Sequence, residues 1–394
     1  MDSRAVSRWR AAVMVAFGLG GITIVSWGPR LPAIRTELGV GTGTIGLILA
    51  GGTVGAVGGL LCSRVVLHRL EGRDAVRAAL LVVASALVVM TVGMATTNAV
   101  VLAGGLLIVG LGLGVLDVAI NVEGAAVERE TRRSQMPLMH SAWSVGSAVG
   151  AGIGALCAAA GVSPAAQFAG LAVLVATAAF VISRRIPFHA PQVADAVTGA
   201  GEGAVATLRR WLRGWTDRRL LMIGLVLLGV ELGEGSANSW LSLAVRENHS
   251  QSAALAALFV TFFALSEATS RICAGPLVDR FGRVRVLRFT TVLGIAGVAL
   301  FILSGTIWLV ALGVVLWAVG VSMGFPLGLS AAAEGDDPAA HVSVAASIGY
   351  LAGLVGPPVI GFLAQSVGLL SSLWLLAAMF LVAFAAARSL TPTV

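Results

Sequence analysis

Long apolar runs, separated by short clusters of arginine, recur along the whole chain. A helix needs about 20 mostly apolar residues to cross the hydrocarbon core of a bilayer. Twelve runs meet that length: 9–30, 43–67, 75–96, 99–122, 138–160 and 164–185, then 219–244, 252–276, 285–304, 306–330, 341–364 and 368–388. None shows the roughly ten-residue alternation of an outer-membrane barrel. The pattern predicts an all-α integral membrane protein with spans one to twelve and little chain left for a soluble catalytic domain.

Composition agrees with the pattern. Of the 394 residues, 57% are hydrophobic and only 11% charged, and the mean hydropathy is +0.94. Such a chain has too few polar residues to cover a soluble surface and too much apolar content to stay disordered. The 26 basic residues are all Arg, which excludes a Lys nucleophile or Schiff base. Nucleic-acid binding is not expected, because the arginines lie between apolar runs and not on one basic face. Cys62, Cys157 and Cys273 fall in or at the edges of apolar runs, with neither metal-site nor disulfide spacing.

The arginines orient the spans. Arg4, Arg8 and Arg10, the loops after spans two, four and eight, the middle segment and Arg388 all fall on one side. That makes 22 against three on the other, Arg30, Arg35 and Arg246, with Arg271 inside a span. Positive loops stay in the cytoplasm, so both termini are expected there, in a bacterial inner membrane. Arg4 to Arg10 ahead of an apolar run resemble a signal peptide. The run continues into Trp27-Gly28-Pro29-Arg30 without a cleavage site, so it reads as an uncleaved first span.

The expected organisation is a six-helix bundle over 1–185, a cytoplasmic linker over 186–218 and a second bundle over 219–394. Leu208, Trp211, Leu212 and Trp215 follow i, i+3, i+4, i+7 in the linker, the pattern of an amphipathic helix lying on an anionic leaflet. The halves echo one another. His68-Arg69-Leu70-Glu71-Gly72-Arg73 follows span two, and Gly275-Pro-Leu-Val-Asp279-Arg280-Phe-Gly282-Arg283 follows span eight. Parallel six-helix repeats are a recurrent transporter architecture.

The loop after span eight resembles the G-x-L-x-D-R-x-G-R-R signature of the major facilitator superfamily, and the loop before span three resembles a degraded copy with His68 in place of Asp. With twelve spans and the central linker, the resemblance covers essentially the whole chain. Span four, Gly112-Leu-Gly-Val-Leu-Asp117-Val-Ala-Ile-Asn121, is similar to the acid-x-x-x-Asn pattern of the fucose-permease-like branch. Ser26-Trp27-Gly-Pro-Arg30-Leu-Pro32 and Gly349-Tyr350-Leu-Ala-Gly353-Leu-Val-Gly356-Pro357-Pro358 resemble a bacterial subgroup of that branch. Fucose permeases carry an Asp in the first span, where this chain has Ser26 and Trp27. The resemblance implies the two-bundle fold, a solute site near mid-membrane between the halves, proton coupling through Asp117 and solute contact through Asn121. Gly146-x-x-x-Gly150-Ala151-x-x-Gly154 in span five also resembles the antiporter motif of drug exporters, with Ala151 replacing its Pro.

Ionisable groups inside spans are costly, and each marks a place to look for function. Asp117 can take up a proton in a dry site, because desolvation disfavours its charge. Glu231, Glu234 and Asn238 share a face of span seven at i, i+3, i+7, and two acids one turn apart disfavour double ionisation. This pattern fits a proton site or a cationic-solute site. Trp240 can supply an aromatic wall. Glu267 and Arg271 form an i, i+4 pair in span eight, read as structural or gating. Arg30 is expected at the outer mouth as an anchor or an attractor of anions, and Trp27 beside it is a solute-contact candidate. His140, at the start of span five, is an interfacial histidine or a proton relay. The glycines of spans two and five read as packing stripes, and Pro357 and Pro358 as a bend.

The loops suggest a gate. Arg69 and Arg73 are expected to meet Glu334, Asp336 and Asp337, while Asp279, Arg280 and Arg283, turned by Gly282, meet the loop near Glu128 and Glu130. The expected activity is proton-coupled transport of a small sugar-like or organic solute by alternating access, with symport favoured. Proton-driven export of a drug or metabolite is the alternative, and a non-transporting sensor a lesser one. A membrane enzyme is not expected, for lack of a nucleophile–base or metal motif. The expected partners are solute, protons and the bilayer. No cofactor or metal is expected, and the protein is expected to be a monomer.

Overall fold

The protein is described by a computed structural model. It describes residues 3–131, 136–187, 214–334 and 338–392. Among these, every regular element is a helix. Twelve helices are long and apolar enough to cross a membrane: Arg4–Leu38, Thr42–Leu67, Gly72–Ala95, Ala99–Glu128, Leu138–Ala159 and Pro164–Ser183, then Arg218–Glu247, Ala253–Cys273, Arg283–Leu303, Ile307–Ala332, Val344–Val367 and Leu369–Leu390. A lipid-exposed backbone must satisfy its polar groups internally, which these helices do. The protein is a multi-pass membrane protein.

Two compact units, Met1–Ala200 and Gly201–Val394, divide the chain within 186–218. Most of that segment, including Leu208, Trp211 and Leu212, lies outside the described residues, as do Arg132, Arg133, Asp336 and Asp337. In the first unit, span one packs on span five, span two on span four, and span three on spans four and six. In the second, span seven packs on span eleven, span eight on span ten, and span nine on spans ten and twelve. The same pairing therefore recurs six spans later.

Helix starts follow ordinary capping chemistry. Ser163 accepts from the Ala166 amide at 3.2 Å, and Ser252 from Leu255 at 3.2 Å. Asp217 accepts from Arg219 at 2.7 Å and Leu220 at 3.2 Å.

Three spans depart from the expected bounds. Span one ends its first helix at Val25, passes through a 3-10 turn over Gly28–Arg30 and resumes as Leu31–Leu38. Pro29 and Pro32 interrupt the ladder there. Span four continues to Thr131, so Asp117 lies near the middle of a 33-residue helix and not near its end. Span ten breaks at Met323, between Ile307–Ser322 and Gly324–Ala332.

The glycine stripes pack as expected. A Cβ at Gly146 would overlap the carbonyl of Gly18, and one at Gly154 would come within 2.7 Å of the Ser26 carbonyl. Gly55 and Gly59 of span two approach the Leu107 and Leu111 carbonyls of span four equally closely. Small residues let these backbones touch. Pro357 and Pro358 lie inside the helix Pro338–Val367.

Candidate functional site

In the first unit, Asp117 and Asn121 meet as their spacing requires. The Asn121 amide donates to the Asp117 carboxylate at 3.1 Å and to its backbone carbonyl at 2.8 Å. Both side chains are half-buried. His140 of span five lies within electrostatic reach of Asp117, with its ring edge-on to Phe17 at 5.1 Å.

Two residues beyond Asn121 is an acid that the expected bounds of span four place outside the membrane. Glu123 is 5% exposed. Its carboxylate accepts from the Trp9 indole at 2.8 Å, and it lies where a Cβ at Gly72 would sit. It thereby links span four to span one and to the start of span three. The signal was a single acid in Asn121-Val-Glu123-Gly-Ala-Ala, with an aromatic residue, Trp9, set between Arg8 and Arg10.

Trp27 and Arg30 belong elsewhere in this unit. Trp27 lines a small apolar crevice with Leu31, Ile34, Ile45, Ile48, Leu49, Met90, Leu102 and Leu106. Arg30 is not at an open mouth: it is 4% exposed. It donates to the Val162 carbonyl in the turn between spans five and six, because the 3-10 turn after Val25 swings it inward. Nearby, the Gln167 amide donates to the Ser26 carbonyl at 2.9 Å.

The second unit gathers four ionisable groups. Arg271 of span eight pairs with Glu267, one turn back, at 2.6 Å and with Glu234 of span seven at 3.0 Å. Its Nε donates to the Ser322 carbonyl of span ten at 3.2 Å. The Ser270 and Ser322 hydroxyls are 2.8 Å apart. Glu231 lies one turn before Glu234, within electrostatic reach of Glu234 and Arg271, and its side chain approaches Gly349 of span eleven. Glu267 is 7% exposed. A buried carboxylate of this kind needs a paired cation, which Arg271 supplies to two acids at once. Asn238 is half-buried on the same face. Trp240 differs from the expected aromatic wall: it is fully buried in the helix packing, because it lies two residues round the helix from Asn238.

The arginine-rich loops resolve partly. Glu334, expected to face Arg69 and Arg73, binds Arg283 of its own unit and lies 3.7 Å from Arg219. Arg280 stacks on Phe281 at 5.2 Å. Asp279 and Arg69 are exposed, and Arg73 lies 3.8 Å from Asp74. Gly282 has φ +79°, a conformation that L side chains rarely adopt. Among the described residues, no cluster of three or more His, Cys, Asp or Glu could hold a metal ion.

Residues 223–394 match the family model of the Major Facilitator Superfamily. The chain is 28% identical over 387 residues to an uncharacterized MFS-type transporter of Yersinia pestis, covering 97% of this chain and 96% of that one. It is 29% identical over 366 residues to the uncharacterized transporter y4wD of Sinorhizobium fredii, covering 92% and 93%. Among solved structures, the nucleoside transporter NupG superposes with a TM-score of 0.76 at 16% identity over 98% of this chain and 100% of that one. The fucose:proton symporter FucP of E. coli superposes with a TM-score of 0.62 at 18% identity over 98% of each. These two likenesses carry the fold. The family match over 223–394 and the two relatives make the chain similar to transporters of the major facilitator superfamily.

Proposed function

We infer that this protein is a major facilitator superfamily transporter that couples the movement of a small sugar-like or organic solute to protons, by alternating access in a bacterial inner membrane with both termini in the cytoplasm. Symport is the favoured direction. One observation carries the reading: three carboxylates and a single guanidinium share one depth of the second unit, and Glu231 is the acid that makes no ion pair with Arg271. A carboxylate in a desolvated place is the group a proton neutralises at least cost. Asp117, bonded to Asn121 in the first unit, is the second proton-site candidate, and Asn121 and Asn238 are candidates for solute hydrogen bonds. The protein works as a monomer with no cofactor other than the proton gradient.

Proteoliposomes with an imposed pH gradient test this. Uptake is measured for a panel of sugars, nucleosides, organic acids and organic cations. A symporter accumulates its solute when the outside is acidic, and Glu231→Gln or Asp117→Asn removes that accumulation while leaving solute exchange. Accumulation against an acidic interior indicates export by antiport. Transport that ignores the gradient rules out proton coupling.

A further inference from the structure

Spans three and nine hold equivalent places in the two units, but their first turns differ in charge. Ala75, Val76, Ala79, Leu80 and Val83 are buried in span three, and Val286, Leu287, Thr290, Thr291 and Gly294 at the same spacing in span nine. That register sets Asp74 against Arg285 and Arg77 against Arg288. In the first unit Asp74 pairs with Arg77 at 2.5 Å. In the second an arginine takes the place of the acid, and two guanidinium groups stand at i, i+3 on one face, where like charges repel. Glu334, at the start of span nine, is already bound to Arg283 and lies 3.7 Å from Arg219. Asp279, in the adjoining loop, is exposed. Among the described residues, no carboxylate pairs with Arg285 or Arg288.

Span twelve brings a third cation to the same groove. Arg288 lies over the Phe384 ring, 5.1 Å from its centroid. Arg388, four residues after Phe384, is exposed. Arg219 fixes this last segment by donating to the Ser389 and Thr391 carbonyls at 3.1 and 3.2 Å. Deeper on the same faces, Val292 of span nine is 49% exposed and Leu381 of span twelve 57%. Three guanidinium groups thus stand at the head of an apolar lane between two packed helices.

We propose that the groove between spans nine and twelve binds the phosphodiester headgroup of an anionic phospholipid, with Arg285, Arg288 and Arg388 on its phosphate oxygens and Val292 and Leu381 along an acyl chain. Arg288 is five residues inside its span, about 7 Å below the first residue. Its long side chain carries the charge up to headgroup level. Parallel N–H donors of a guanidinium fit phosphate oxygens, and the Phe384 face steadies the Arg288 plane. A soluble anion would meet the charges and leave the apolar lane uncovered, whereas a lipid covers both. Basic pockets between spans are suited to anionic headgroups. The first unit has no such need, because Asp74 already balances Arg77. This site is separate from the solute site and does not depend on proton coupling.

The test needs no known solute. The full chain is placed in phosphatidylcholine nanodiscs with a rising fraction of phosphatidylglycerol, and its melting temperature is followed. The wild type should melt higher as phosphatidylglycerol is added, with a saturating response. Arg288→Gln and Arg388→Gln should each raise the half-saturating fraction about fivefold. Arg285→Asp restores the ion pair of the first unit. It should abolish the response while melting no lower than the wild type in pure phosphatidylcholine. Arg388→Gln, an exposed change, decides the matter if Arg285→Asp does not yield folded protein. Arg8→Gln, an exposed arginine of the first unit, should keep the wild-type response. A wild type indifferent to phosphatidylglycerol, or a wild-type response in the folded groove variants, overturns the site. Sodium phosphate at matched ionic strength, added to pure phosphatidylcholine discs, should leave the melting temperature unchanged. If it reproduces the rise, the groove takes free phosphate and the lipid assignment is wrong.

Discussion

In the first unit, span five meets span one backbone to backbone, with Gly146 against the Gly18 carbonyl and Gly150 against Ile22. In the second, span eleven meets span seven through side chains: the nearest atom to a Cβ at Gly349 is Leu227 Cβ, at 3.1 Å. The charges divide in the same way. Asp117 bonds along its own helix to Asn121, whereas Arg271 bonds across three spans. Equivalent pairings of spans can therefore be reached by a stiff, close-packed contact or by a padded contact held at a polar point. A padded contact held at a polar point separates at less cost than interlocked backbones.

Removing Arg271 should have the largest effect. Arg271→Gln leaves Glu267 buried without its cation, at a cost of about 3–5 kcal/mol, while Asp117→Asn keeps a local partner and should cost under about 1 kcal/mol. Thermal unfolding in detergent near neutral pH compares them, and equal losses would erase the distinction between the halves. Next comes the glycine contact. Gly146→Ala must push two backbones apart, for about 1–3 kcal/mol, whereas Gly349→Ala meets side chains that can shift and should cost about 0.5 kcal/mol or less. The same melting assay reads both.

The two loop glycines sharpen the contrast further. Gly282 is needed for its positive φ, so Gly282→Ala should cost about 1–2 kcal/mol, and no change of neighbour should repair it. Gly72 is needed for space beside Glu123, so the loss in Gly72→Ala should be smaller in a Glu123→Ala background, as a double-mutant cycle would show. The smallest effect is expected at His249, in the turn between spans seven and eight. Burial holds its pKa below the ordinary 6.5, partly opposed by a hydrogen bond to the Phe301 backbone, and its Nε2 is buried without a hydrogen-bond partner. A depressed folded value means that its stabilisation is full above 6.5 and is lost as the pH falls through that lower value. His249→Phe should make the melting temperature less sensitive to mild acid, and an unchanged acid sensitivity would refute this.

Spans and pairing stripes were legible because they rest on local composition. Lipid demands long apolar helices, and close helix contact demands small residues at every fourth position, as at Gly146, Gly150 and Gly154. The Glu267–Arg271 and Asp117–Asn121 bonds were legible for the same reason, since one helical turn brings each pair together. Glu123, Ser270 and Ser322 were not. Glu123 looked like the first residue beyond a span, and nothing near it in sequence announces Trp9, 114 residues away. Arg30 was misplaced outward because the turn that buries it depends on span five and the Val162 carbonyl.

By itself the sequence determined what local physics determines: twelve apolar helices, a repeated half, glycine stripes and acids spaced one turn apart. Tertiary structure alone decided which of those acids share a cation. Arg271 is within one turn of Glu267 in the chain, but its bonds to Glu234 and Ser322 exist only because spans seven, eight and ten pack together.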